Sequence, residues 1–70
     1  MGEEVTITVN GVERFVPAGT TVVGLLELLE IRADRIAVEV NREIVTRSLH
    51  ATHVIGDGDR VEIVTMVGGG

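Results

Sequence analysis

Apolar and polar residues alternate at the start of the chain, where Thr6 and Thr8 separate Val5, Ile7 and Val9. A period of two sends successive side chains to opposite faces, so this stretch predicts a strand with one buried face. Asn10-Gly11 follows, a pair that readily takes the positive φ angles of a two-residue hairpin turn. A second strand over residues 12–16 is therefore expected to return antiparallel. Pro17-Ala18-Gly19 then breaks the pattern, and Thr20 or Thr21 is placed to cap a helix that begins at Val22.

The period changes there. Val22, Leu25, Leu26 and Leu29 fall at i, i+3, i+4 and i+7 and line one helical face, leaving Glu27 and Glu30 toward water. Burying those four side chains at ~1.5–3 kcal/mol each contributes roughly 6–12 kcal/mol of gross hydrophobic stabilisation. Gly24, inside the helix, should cost ~1 kcal/mol against alanine and permit a close approach to the sheet. Alternation resumes with Ile36, Val38 and Val40 around Ala37 and Glu39, a third strand, and Asn41-Arg42 turns into a short segment over residues 43–45. Residues 46–53 read as polar and irregular. Asp57-Gly58 is a turn signal before a last strand over residues 61–67, in which Val61, Ile63, Thr65 and Val67 share one face. Hairpin, helix, strand, short strand, strand is an α+β order. It matches the β-grasp, or ubiquitin-like, fold: a mixed sheet of four to five strands packed on one main helix. Residues 1–67 would form this domain, with residues 68–70 as a flexible tail.

Composition narrows the chemistry. The only aromatic residue among 70 is Phe15, so the core must be built from Val, Ile and Leu. A chain this short has no room for an enclosed enzyme pocket. There is no cysteine, which excludes disulfides, a thiolate nucleophile and a zinc–thiolate site. A net charge of −5 repels phosphate backbones, so nucleic-acid binding is not expected and a basic protein partner is. All six basic residues counted as Lys or Arg are arginines, so an activated terminus would meet no lysine on other copies of the chain. No apolar run approaches the ~20 residues of a membrane span, and the acidic start Met1-Gly2-Glu3-Glu4 lacks a signal peptide's basic region. No membrane association is expected, and a cytoplasmic location is.

Side-chain chemistry offers little. His50 and His53 form a His-x-x-His pair, but a loop without a third strong ligand reads as solvated histidines, not as a metal site. Gly56-Asp57-Gly58-Asp59 lacks the spaced oxygens of a calcium loop and reads as a turn. Neither a serine–histidine pair nor a carboxylate dyad stands out, so no catalytic residue and no metal is assigned. Two other features carry more. Val64 and Met66 lie on the face of the last strand opposite Val61 and Ile63, where a sheet covered by one helix should be polar. They predict an exposed apolar docking patch, which Phe15 could join. Gly68-Gly69-Gly70 follows at once, and glycine lacks the Cβ that would keep a backbone out of a narrow slot. At ~3.3–3.6 Å per extended residue these three reach roughly 10 Å, enough for Gly68 and Gly69 to thread the carboxylate of Gly70 into a partner's active site.

Together these residues resemble a known family. Asp57-Gly58-Asp59-Arg60-Val61-Glu62-Ile63-Val64, then Met66-Val67-Gly68-Gly69-Gly70, is similar to the ending of the ThiS-type sulfur carriers of bacterial thiamine biosynthesis. The Val9-Asn10-Gly11 turn, the Thr21-Val22 helix entry, and Val38-Glu39-Val40-Asn41 followed by Glu43-Ile44-Val45 are similar too. The resemblance implies a protein co-substrate, not an enzyme. Gly70 would be adenylated by a ThiF-type, E1-like adenylyltransferase, which uses the ATP; the carrier itself would bind no cofactor. The acyl-adenylate would become a thiocarboxylate with sulfur from a donor such as a cysteine desulfurase, and would serve a ThiG-type thiazole synthase. The free carrier would be monomeric. Three alternatives stay open: a MoaD-type subunit of molybdopterin synthase, a ubiquitin-like protein modifier, and a non-covalent β-grasp interaction module.

Overall fold

The computed structural model describes residues 2–66. In chain order the elements are β1 (Glu4–Val9), β2 (Val12–Pro17), α1 (Val22–Leu28), β3 (Ile36–Val40), β4 (Glu43–Val45), a 3₁₀ turn (Arg47–Leu49) and β5 (Arg60–Thr65). The five strands form one sheet in the order β2-β1-β5-β3-β4. Both hairpins are antiparallel; β5 runs parallel to β1 and antiparallel to β3, so the sheet is mixed. This is the β-grasp arrangement that the element order predicts. No helix among the described residues is long and apolar enough to cross a membrane.

The core lies between α1 and one face of the sheet. Ile7, Val9, Val16, Val38, Val40, Val45 and Val61 meet Val22, Leu25 and Leu26 of the helix, and Ile55 closes the cluster from the loop before β5. The helical face is as expected except at its end, where Leu29 is only partly buried against the core. Pro17 extends β2 one residue past the predicted end, pairing with Glu4. Its missing N–H is tolerated because β2 is an edge strand.

Each helix end is closed by its own device. At the N-terminus, the Thr21 hydroxyl accepts from the Gly24 N–H at 3.1 Å. The Val22 and Val23 N–H groups donate to the carbonyls of His53 and His50 at 3.0 and 2.9 Å. Three orphan donors are thereby satisfied, two of them by the stretch that reads as an irregular loop. That stretch also holds the 3₁₀ turn and is anchored further by Ile55 N–H on the Thr20 carbonyl at 2.9 Å. At the C-terminus, Glu30 takes φ +58°. Its N–H reaches the Glu27 carbonyl and that of Ile31 the Leu26 carbonyl, at 3.1 and 2.9 Å, the paired bonds of a Schellman motif. A glutamate therefore holds the position that usually falls to glycine. Gly24 does not serve a close approach to the sheet: a Cβ there would meet Thr20 Cγ2 at 3.3 Å and Thr21 Oγ1 at 3.6 Å, so the glycine makes room for the capping turn.

Candidate functional site

β5 carries the chain toward residues 67–70 and is held from both sides by the hairpin turns. In the first turn Asn10 and Gly11 both have positive φ, +50° and +83°. The Asn10 side chain then continues the β1–β5 ladder: its Oδ1 accepts from Ile63 N–H at 2.7 Å and its Nδ2 donates to the Ile63 carbonyl at 3.1 Å. The second turn repeats the device, with Asn41 and Arg42 at φ +53° and +70°. Asn41 Oδ1 accepts from Arg60 N–H, and its Nδ2 donates to Asp59 Oδ1, both at 2.9 Å. Beyond the strand, the Met66 N–H donates to the Arg35 carbonyl at 2.7 Å. The last strand thus ends at Thr65, not at the expected Val67, which lies outside the described residues with Gly68, Gly69 and Gly70.

Strand register decides what surrounds Val64 and Met66. Val64 faces away from the helix and is 53% exposed; Met66 is 52% exposed. Ala37 sits opposite Val64, and Ile44 sits opposite Glu39 two residues further along β3. Ile44 is exposed as well, so Val64, Met66, Ala37 and Ile44 form an apolar patch at the end of the sheet where β5 finishes. Ala37 and Ile44 carry no signal of this place in the sequence, because it depends on pairings between distant strands. Phe15 does not adjoin this patch. It is exposed on the same face but pairs with Thr6, and two residues further along β1 Thr8 pairs with Arg60. Phe15 is therefore level with residue 58, about 20 Å before Val64 at ~3.3 Å per residue.

Residues 46–59 do not cover the patch; the hydrogen bonds above dock them on the helix N-terminus. His50 is correspondingly not a solvated loop residue. It is buried, with Nε2 3.0 Å from the Val45 carbonyl, to which it donates because a carbonyl oxygen can only accept. His53 is half-buried. Among the described residues no three metal-ligating side chains come together. Asp57 and Asp59 have structural work: Asp57 accepts from Thr6 N–H at 2.8 Å, and Asp59 accepts from Gly56 N–H at 2.7 Å within the turn.

At its outer end the patch opens into a groove of about 320 Å³, lined in part by Arg35, Ala37, Ile44, Arg47, His50 and Met66. The groove is open to solvent and does not enclose a space that would bury a small molecule.

Comparison with known proteins agrees with this picture. The chain is 44% identical over 64 residues to a thiazole synthase of Paramagnetospirillum magneticum, covering 91% of this chain but 20% of that protein. It therefore spans about one fifth of the length of that relative. It is 40% identical over 53 residues to the sulfur carrier protein ThiS of Escherichia coli, covering 76% of this chain and 80% of that one. The fold superposes on the crystal structure of a thiamine biosynthesis protein (ThiS) from Geobacter metallireducens with a TM-score of 0.84 at 33% identity, covering 94% of this chain and all of that one. The ThiS family model matches residues 1–70 from end to end, and with the mixed sheet, the single helix and the glycine ending all in place, the chain belongs to the ThiS family.

Proposed function

We propose that this chain is a sulfur carrier for thiazole formation in thiamine biosynthesis, with the carboxylate of Gly70 as its reactive group. The observation that carries the reading is the match of the family model over the whole chain, glycine ending included. The thiazole synthase relative supports the same pathway, since a segment similar to this chain is part of that polypeptide.

The chemistry follows from the terminus. An α-carboxyl group with a pKa of ~3.3–3.7 is ionised at neutral pH and is a poor electrophile. An E1-like adenylyltransferase overcomes this by joining the carboxylate to AMP, with pyrophosphate leaving from ATP. A persulfide formed from cysteine on a desulfurase then attacks the acyl-adenylate and displaces AMP; a thiol of a partner protein cleaves the resulting acyl disulfide, forming a disulfide and leaving the thiocarboxylate on Gly70, which donates its sulfur to thiazole synthase. Gly69 and Gly68 provide a tether without side chains, and Val64 and Met66 provide the docking surface. Phe15 contributes, if it contacts a partner, from a separate region of the same face.

Intact-mass measurement with fragmentation, on protein purified from its own cells, tests the proposal. The expected result is oxygen replaced by sulfur at Gly70, localised there because oxidation of Met1 or Met66 gives nearly the same nominal mass change. Deleting Gly70, or extending the chain beyond it, should abolish sulfur transfer and leave the fold intact. Full activity in a chain with added C-terminal residues that cannot be removed would overturn the reading.

A further inference from the structure

Asn10, whose side chain clasps β5, is followed by Gly11, and that pair has a covalent chemistry of its own. With no Cβ beside it, the Gly11 nitrogen is the least shielded neighbour an asparagine side chain can meet. Its attack on Asn10 Cγ forms a cyclic succinimide, and Nδ2 leaves as ammonia with the proton that Gly11 gives up. Water then cuts the new bond at Cγ, leaving aspartate, or the original bond at the main-chain carbonyl, leaving isoaspartate. One water enters, one ammonia leaves, and nothing is oxidised or reduced. The folded turn opposes the first step. Asn10 Oδ1 accepts from the Ile63 N–H at 2.7 Å and Nδ2 donates to the Ile63 carbonyl at 3.1 Å, so the side chain reaches across to β5 instead of back to its own peptide. The Asn10 N–H is tied to the same strand, on the Val61 carbonyl at 2.9 Å. Ring closure breaks both side-chain bonds, and these form only while β5 lies against the first turn.

We propose that Asn10-Gly11 is a conformation-gated deamidation site, silent while β5 is seated and reactive once β5 detaches. The mark is irreversible, and it keeps the strand from reseating as before. Aspartate sets an ionised oxygen where Nδ2 donated, against the Ile63 carbonyl oxygen, and isoaspartate lengthens the backbone of a turn in which both residues already take positive φ. Asn41 is a control within the same molecule. It is the only other side-chain amide, sits at φ +53°, and is engaged in the same way, donating to Asp59 and accepting from the Arg60 N–H. Its neighbour is Arg42, whose Cβ crowds the attacking nitrogen. Opening of the sheet is thus recorded at Asn10 and not at Asn41. The inference goes beyond the carrier reading and does not depend on it.

Peptide mass analysis of the full chain aged in neutral buffer, native and in denaturing urea, tests this, with isoaspartate identified by fragmentation. In denaturing urea Asn10 should convert at least about tenfold faster than Asn41, and at least about tenfold faster than Asn10 of the native chain. Sub-denaturing urea, or Val61→Ala on β5, leaves Asn10 in place and loosens the strand. Each should speed native conversion by the same factor as it speeds hydrogen exchange of the Ile63 amide, the donor to Asn10 Oδ1. Asn10→Asp should be less stable than the parent at neutral pH, and the gap should narrow on acidification, as a protonated carboxyl regains a donor for the Ile63 carbonyl. Equal rates in the native and denatured chains overturn the gate, as does faster Ile63 exchange without faster conversion. Conversion of Asn10 in denaturing urea no faster than that of Asn41 overturns the site itself. A stability gap that ignores pH overturns the account of why the strand fails to reseat.

Discussion

The two faces of the sheet use the same kinds of residue for opposite purposes. On the inner face Val61 is fully buried and Val38 nearly so, both against the helix; on the outer face, Val64 and Ile44 are more than half exposed. β5 contains both cases three residues apart, in Val61 and Val64, so hydrophobicity alone does not separate a packing residue from a surface one. What separates them is which side of the sheet the single helix occupies. An apolar side chain on the covered side contributes to stability through burial, whereas one on the open side stays largely in water and contributes little to it.

The largest expected effect lies on the inner face. Leu25→Asp places a carboxylate at a position with no exposure and should remove more than about 4 kcal/mol, leaving no cooperative thermal transition by circular dichroism. A folded Leu25→Asp chain would mean that the helix is not what closes the core. Asn10→Ala comes next, since it removes both side-chain bonds to Ile63 and puts a Cβ residue without polar compensation at φ +50°. A loss of about 2–3 kcal/mol is expected in urea titration, and a loss near zero would show that β5 needs no clamp from the first turn. Glu30→Gly should act in the opposite direction, raising stability by about 1 kcal/mol because glycine adopts the positive φ of the helix end without strain. If it destabilises, the glutamate has a compensating contact. The smallest effect on stability is expected on the outer face, where Met66→Asp should change unfolding free energy by no more than about 0.5 kcal/mol. The same variant should nevertheless weaken binding to the activating enzyme. Instability comparable to that of Leu25→Asp would erase the distinction between the faces.

Much of this was legible in the sequence, for reasons that are local. The alternation at residues 5–9 and 36–40 and the helical spacing at residues 22–29 each report a periodicity of neighbouring residues, and the strands and helix fall there. The Asn10-Gly11 turn is equally local. What escaped the sequence depends on residues far apart in the chain. Phe15 is separated from Val64 because of the parallel register between β1 and β5. Ala37 and Ile44 join the patch only through the pairings of β3. His50 is buried because the segment after the 3₁₀ turn folds back to cap the helix, an arrangement for which its polar composition gives no signal.

The strand order has a kinetic consequence. The two hairpins, β1–β2 and β3–β4, make no direct pairing with each other; β5 is the bridge between them and is synthesised after both. Joining Asn10 to Ile63 closes a separation of 53 positions, so the contact that completes the sheet is also among those with the greatest loop entropy to overcome. Until it forms, a refolding chain holds two hairpins not yet joined, each marginal by itself, with the unpaired edges of β1 and β3 open to the wrong strand.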